Sequence, residues 1–204
     1  MAYDTLASEE SIQKVLAALP TRNITGYVVA NKEEALLKAK SLIPDGSEVM
    51  TGASVTLEQI GFVNLLKSGA HPWKNWKETI LAEKDPVKQG ILRKQASLSQ
   101  YFLGSVHAIT EDGQAVIGSN SGSQLPSYAF TSDNVIWIAG TQKIVPTLEE
   151  GFKRIREYVV PLEDVHMKEL YGYGTNLSKM LVFSKEIMPT RRIHLILVQE
   201  KLGF

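Results

Sequence analysis

The 204-residue chain contains no cysteine, which excludes a disulfide framework, thiolate-held metals and cysteine-ligated iron–sulfur clusters together. Any cofactor has to be held by other groups, and the sequence identifies none. Neither charge is in surplus: Lys plus Arg and Asp plus Glu each number 22, so there is no basic excess for nucleic acid or an anionic lipid surface. Apolar runs are short, and none approaches the ~20 residues of a membrane-spanning helix. The first residues, Met1-Ala2-Tyr3-Asp4-Thr5, carry neither a basic region nor an apolar signal-type core. The expectation is a cytoplasmic protein with no nucleic-acid or membrane partner. The usual catalytic signatures are missing too: there is no G-x-S-x-G elbow, no Walker lysine and no kinase motif set. The four histidines, His71, His107, His166 and His194, show no H-x-x-x-H or H-E-x-x-H spacing, and no metal site is predicted.

What is present alternates between strand and helix. A chain of this length buries one good core, so a single α/β domain over residues 1–204 is the first expectation. Leu6, Ile12, Val15, Leu16 and Leu19 predict an amphipathic helix over about 5–19, stopped by Pro20. Ile24 to Ala30 reads as a strand, and Asn31 with Glu34 as a capping box opening the next helix. A second strand near Ser47 to Thr51 leads into a third helix. Strand, helix, strand, turn and helix in this order imply parallel pairing through right-handed crossovers. Val87 to Phe102 continues in helical periodicity. Val106 to Thr110 and Gln114 to Ile117 read as strands across the Asp112-Gly113 turn. Asn134 to Ala139 and Ile193 to Val198 are strongly apolar strands, and Thr147 with Glu150 marks one more helix start. Trp73 and Trp76, in an otherwise hydrophilic connection, either form a contact surface or pin that connection to the body.

Two stretches offer a binding site. Thr51-Gly52-Ala53-Ser54-Val55-Thr56-Leu57-Glu58-Gln59 reads as strand end, small-residue turn and helix start, with Thr56 and Gln59 at capping-box spacing. Such a start presents backbone N–H donors to an anion; alternatively the small residues only permit a tight connection. The run Gly118-Ser119-Asn120-Ser121-Gly122-Ser123-Gln124 brings backbone and hydrogen-bonding side chains toward a phosphate, carboxylate or hydroxyl, or else it is a surface loop. The candidate ligand-binding residues are Gly52, Ser54 and Thr56 from the first stretch, Asn120, Gly122 and Ser123 from the second, and Lys143. Ligand crevices of open α/β sheets form outside the carboxyl ends of strands, so both stretches are expected in one cleft with Glu111 near its rim. Glu111 is the catalytic candidate, as general base or nucleophile. For Asp112, a plain turn role competes.

Three stretches, Thr51 to Gly61, Ala108-Ile109-Thr110-Glu111-Asp112-Gly113, and Ile138-Ala139-Gly140-Thr141-Gln142-Lys143-Ile144-Val145, together with the closing Arg192 to Gly203, resemble the LUD domain family of lactate utilisation proteins. The resemblance implies the three-layer αβα sandwich, with a mostly parallel sheet, of the ribose-phosphate isomerase, glucosamine-phosphate deaminase and CoA-transferase superfamily. It implies a role in lactate or related organic-acid metabolism, and the helix start after Thr51 with the loop after Gly118 predicts a small anionic metabolite as ligand. A stand-alone isomerase or transferase acting on a phosphorylated sugar or CoA ester is the alternative, with Lys143 balancing substrate charge. A non-catalytic subunit beside an iron–sulfur or oxidoreductase partner is the third, and a homo-oligomer stays open. Some similar short members carry a cysteine cluster before the last strand, whereas Tyr171 to Glu186 has none here.

Overall fold

The computed structural model describes residues 3–204. Its first helix, α1 (Glu9–Ala18), starts at Ser8, whose hydroxyl accepts from the Ser11 amide. A 3-10 turn over Leu19–Arg22 and Asn23, left-handed at φ 56°, lead into β1 (Ile24–Val29). Asn31 caps α2 (Lys32–Ser41) through the Glu34 amide as its spacing predicts, while the Glu34 carboxylate takes the amide of Ala30. Beyond β2 (Glu48–Thr51) the single helix expected from the sequence is two short ones. These are α3 (Val55–Gln59) and α4 (Phe62–Ser68), broken where Gly61 adopts φ 79°.

The next connection holds β3 (Lys74–Asn75), α5 (Trp76–Ala82) and α6 (Pro86–Gln95). Trp73 is buried against Phe62 and donates its indole N–H to the Ile43 carbonyl at 3.3 Å, and Trp76 donates to the Glu48 carboxylate at 3.2 Å. The indoles therefore pin this stretch to the body, and Trp73 is unavailable as a contact surface. The helix expected to run to Phe102 ends early, because Tyr101 and Phe102 begin β4 (Tyr101–Gly104), an interior strand paired on both sides. The hairpin of β5 (Ala108–Thr110) and β6 (Ala115–Ser119) turns at Gly113, φ 86°. Then come β7 (Asn134–Gly140), β8 (Ile144–Val145) and α7 (Leu148–Arg154), which Thr147 caps through the Glu150 amide. A π-helical turn over Ile155–Val159 joins α7 to α8 (Val160–Tyr171). The chain closes with β9 (Lys179–Phe183), unforeseen in the sequence, and β10 (Arg192–Val198).

The main sheet has the order β1-β10-β7-β4-β2-β3, and every neighbouring pair is parallel. Alternation along its strands feeds two cores. Ile136, Ile138, Ile196 and Val198 pack on one face against Ala35, Ala39, Leu57 and Phe62 of α2, α3 and α4. Val135, Trp137, Ile193, Leu195 and Leu197 pack on the other against Ile12 and Val15 of α1 and against Ile109, Ala115 and Ile117. Those last three belong to a smaller sheet, β8-β5-β6-β9, whose opposite residues Ala108, Val116 and Val145 meet Ile155 and Phe152. Helices on both sides of the parallel sheet give the αβα sandwich, with the small sheet set between the main sheet and α7. Among the described residues no helix is long and apolar enough to cross a membrane.

Candidate functional site

Four adjacent strands of the main sheet, β10, β7, β4 and β2, end at the same edge. The residues that follow them are Gly203, Lys143, Ser105 and Thr56, and they meet at one point. Lys143 Nζ donates to Thr56 Oγ1 at 3.1 Å and to Ser105 Oγ at 3.0 Å. A Cβ on Gly203 would collide with Thr56 Oγ1 and lie 3.0 Å from Lys143 Nζ. Only glycine lets the chain pass so close, and its φ of 63° is one that other residues seldom adopt. Gly104 is required for a similar reason: Tyr128 lies across it, donating its hydroxyl to the Ser105 carbonyl at 3.1 Å, and leaves no room for a Cβ.

This cluster floors a cleft of about 430 Å³, within the usual range for small-molecule sites. Gly52, Ala53, Ser54, Val55 and Thr56 form one wall, and Ser119, Asn120, Ser121, Ser123 and Gln124 form the other. The two stretches singled out in the sequence thus face each other across one space. Their origins differ from expectation in one respect. The first follows a parallel strand, but the second follows β6, whose neighbours β5 and β9 are both antiparallel to it. Helix α8 and the loop after it close the remaining side with Glu163, His166 and Tyr173.

The roles within the first wall also change. Ser54, not Thr56, is the N-cap of α3, accepting from the Leu57 amide. The Gln59 amide oxygen accepts from Gly203 N–H at 2.7 Å instead of reaching back to the cap. Gly52 N–H is spent on the Leu103 carbonyl and Glu58 N–H on the Ser54 carbonyl. A five-residue helix with these donors engaged is a weak anion site, and Thr56 serves the cleft through its hydroxyl. In the second wall Gly122 stands behind the lining: its N–H donates to Ser119 Oγ at 2.8 Å and its α-carbon packs against Lys179.

Glu111 does not reach the cleft. It accepts from Ser11 Oγ at 2.7 Å and from Lys14 Nζ at 3.3 Å, beside a separate hollow bordered by Tyr3, Leu6 and Pro146. The Ser11 hydrogen bond, followed by Lys14, holds its carboxyl below the ordinary range, so it is a fixed carboxylate tying α1 to the β5–β6 turn. Asp112 pairs with Arg22 at 2.6 Å and accepts from Thr110 and Gln114, the turn role. The catalytic expectation for Glu111 near the rim is therefore corrected.

The electrostatics of the floor are one-sided. Lys143 is 2 % exposed, and burial pushes its ammonium down to about 7, with the like charge of Arg154 adding. No acidic side chain pairs with it among the described residues. Arg154, fully buried, donates among the described residues to main-chain oxygens alone, those of His107, Phe204 and Tyr3, and its Nε has no partner among them. Burial, then Lys143 and Arg154, push the His107 imidazole down to about 3. His107 Nδ1 accepts from Gly118 N–H at 3.0 Å, which fixes the neutral tautomer with its hydrogen on Nε2. The acidic side chains lining the cleft are Glu58 and Glu163. Burial raises Glu163, and Glu58 raises it further. The cleft therefore offers a buried amine, a neutral imidazole N–H donor and a set of hydroxyls and amides. No group of three or more His, Cys, Asp or Glu among the described residues is arranged to hold a metal.

Of these cleft residues, Thr56 and Lys143 are candidates from sequence alone, whereas Ser105, His107, Tyr128 and Glu163 are not. Ser105 and His107 follow β4, a strand hidden in an apparent helix tail. Glu163 lies on a helix whose register gives no sign of which face is covered.

A parallel αβα sandwich with a polar cleft at the carboxyl edge of its strands has its crevice where open α/β sheets form theirs. The LUD domain model matches residues 12–198, and the chain belongs to the LUD domain family. Among solved structures it is similar to a DUF162 family protein from Deinococcus radiodurans, at 12% identity and TM-score 0.56, over 95% of this chain and 99% of that one. That likeness is one of fold. No curated protein matches the sequence.

Proposed function

We propose that this LUD-domain protein binds a small anionic organic acid in the cleft and serves lactate or related organic-acid metabolism. The observation that carries the reading is Lys143, a buried amine with two hydroxyl acceptors and, among the described residues, no carboxylate partner. A buried cation without a counter-ion is unfavourable, and a bound carboxylate supplies one. Lactate enters as the family's association, and the cleft's size and polarity suit metabolites of that kind.

Thermal unfolding against a panel of lactate, pyruvate, 2-oxoglutarate, sugar phosphates and CoA esters tests it. A ligand at 100 times its Kd adds ~2.7 kcal/mol, which for a chain of this size raises Tm by roughly 5–10 °C. Lys143→Met is expected to remove the response to carboxylates. A panel with no response, or one retained in full by Lys143→Met, would falsify the proposal.

A further inference from the structure

Lys143 has one valence that the protein leaves open. Its nitrogen donates to two hydroxyl oxygens, at 3.1 and 3.0 Å. A neutral amine has two N–H groups and one lone pair, so with both hydrogens placed the lone pair remains. Lys143 lines the cleft, and no other protein acceptor meets this nitrogen among the described residues. The neutral form is well populated near neutrality, because burial and Arg154 bring the ammonium down to about 7. Four strand ends and the close passage of Gly203 hold the side chain in place. Beside it stands His107, whose Nε2–H is a fixed donor that does not ionise in the neutral range.

We infer that Lys143 is a nucleophile that forms a Schiff base with the carbonyl carbon of a 2-oxo carboxylate held in the cleft. This rests on the anion-binding reading and adds to it the carbonyl group and the covalent bond. In the step, the nitrogen lone pair forms the C–N bond while the carbonyl π pair moves to oxygen. One amine proton passes to that oxygen, a second proton, the one the ammonium released to solvent on becoming the amine, converts it to departing water, and the C=N bond forms with nitrogen keeping its last proton. No electrons are gained or lost overall. The product iminium carries the positive charge that the ammonium carried, one bond from the carbon bearing the carboxylate. Ion pairing in the low-dielectric floor is thereby kept. His107 Nε2–H and the Ser105 and Thr56 hydroxyls are the hydrogen-bonding groups available to the carbonyl oxygen as its charge develops.

The test is reductive trapping on the wild-type chain. Protein is incubated with pyruvate, glyoxylate or 2-oxoglutarate and reduced with borohydride, which delivers hydride to the C=N carbon. Intact mass and peptide mapping then locate any adduct. The expected result is one adduct per chain, on Lys143, with at least one of the three acids, forming faster at pH 8 than at pH 6. Lactate, of the same charge as pyruvate but without a carbonyl, yields none. Lys143→Arg, whose guanidinium is no nucleophile, is expected to lose the adduct. A carbonyl acid that raises the melting temperature of wild-type protein but leaves Lys143 unmodified overturns the covalent inference and leaves the anion reading standing. Modification spread evenly over surface lysines overturns it equally. Absence of both thermal response and adduct overturns both.

Discussion

Replacing Lys143 by Met should make the protein more stable at neutral pH, and the gain should shrink as pH rises. Folding lowers the ammonium from its ordinary 10.5 to about 7. At about 1.4 kcal/mol for each tenfold change, keeping the group charged in the fold costs roughly 5 kcal/mol. Above pH 10.5 neither the folded nor the unfolded chain holds this proton, and the cost vanishes. Between 10.5 and about 7 the unfolded chain binds a proton that the folded one does not, so stability falls as pH falls through that window. Below about 7 both forms are charged and the cost is complete. Met has nearly the same length and no charge, but it forfeits two hydrogen bonds to hydroxyls, together worth about 2 kcal/mol. The balance at pH 7 is a gain of roughly 1–3 kcal/mol. Urea unfolding of both proteins at pH 7, 8 and 9 measures it, since the other titrating groups are common to the two. The difference between them should change by about 1.4 kcal/mol per pH unit in favour of wild type. Parallel stability curves across that range would show that Lys143 keeps its proton in the fold and would overturn this account of the floor.

Glu111→Gln removes one side of an ion pair whose Lys14 side chain is 49% exposed; it should cost less than about 1 kcal/mol and leave any thermal response to carboxylates unchanged. Gly203→Ala should destabilise by about 1–2 kcal/mol from the left-handed φ alone. Its Cβ would also push Thr56 from Lys143, so any response to carboxylates in the melting assay should weaken. Arg191 lies buried with Glu186 and donates to the carbonyls of Ser132, Ala129, Ser127 and Tyr128. Arg191→Met, which strands the Glu186 charge, should cost about 3–5 kcal/mol in urea unfolding. Since it lies outside the cleft, ligand response per folded molecule should not change.

The parts of this fold legible in the sequence are those governed by local chemistry. Asn31 and Thr147 cap the helices that their spacing predicts, because a cap is a contact over three residues. The apolar runs 134–139 and 193–198 became the sheet's central strands, because a strand buried on both faces needs an unbroken apolar sequence. What failed depends on distant partners. Tyr101 and Phe102 continue a helical pattern in sequence, yet β2 and β7 supply a ladder on each side, and tertiary pairing overrides periodicity. Thr56, with Gln59 three residues on, fits a capping box, whereas Ser54 has Leu57 at that spacing. Ser54 took the cap because Thr56's hydroxyl meets Lys143, 87 residues away. Glu111 looked catalytic by its position at a strand end, but β5 belongs to the small sheet and ends on α1.

The same distinction explains why the two walls could be matched from sequence while the floor, beyond Thr56 and Lys143, could not. Small and hydroxylic residues announce a loop that approaches a ligand, and they do so within a few positions. The floor is assembled from residues 56, 105, 107 and 143, none within a helical turn of the next except the middle pair, and each is ordinary alone. Only the strand order β10-β7-β4-β2 makes them neighbours, and it does so because parallel strands joined by crossovers all deliver their following residues to one edge. A lysine placed there is desolvated by four strand ends, and among the described residues no carboxylate hydrogen-bonds to it. Hydroxyls from Thr56 and Ser105 satisfy two of its hydrogens without neutralising it. A carboxylate partner would have fixed the amine as an ammonium. Hydroxyls leave it free to titrate near neutrality, and that difference separates a structural lysine from a reactive one.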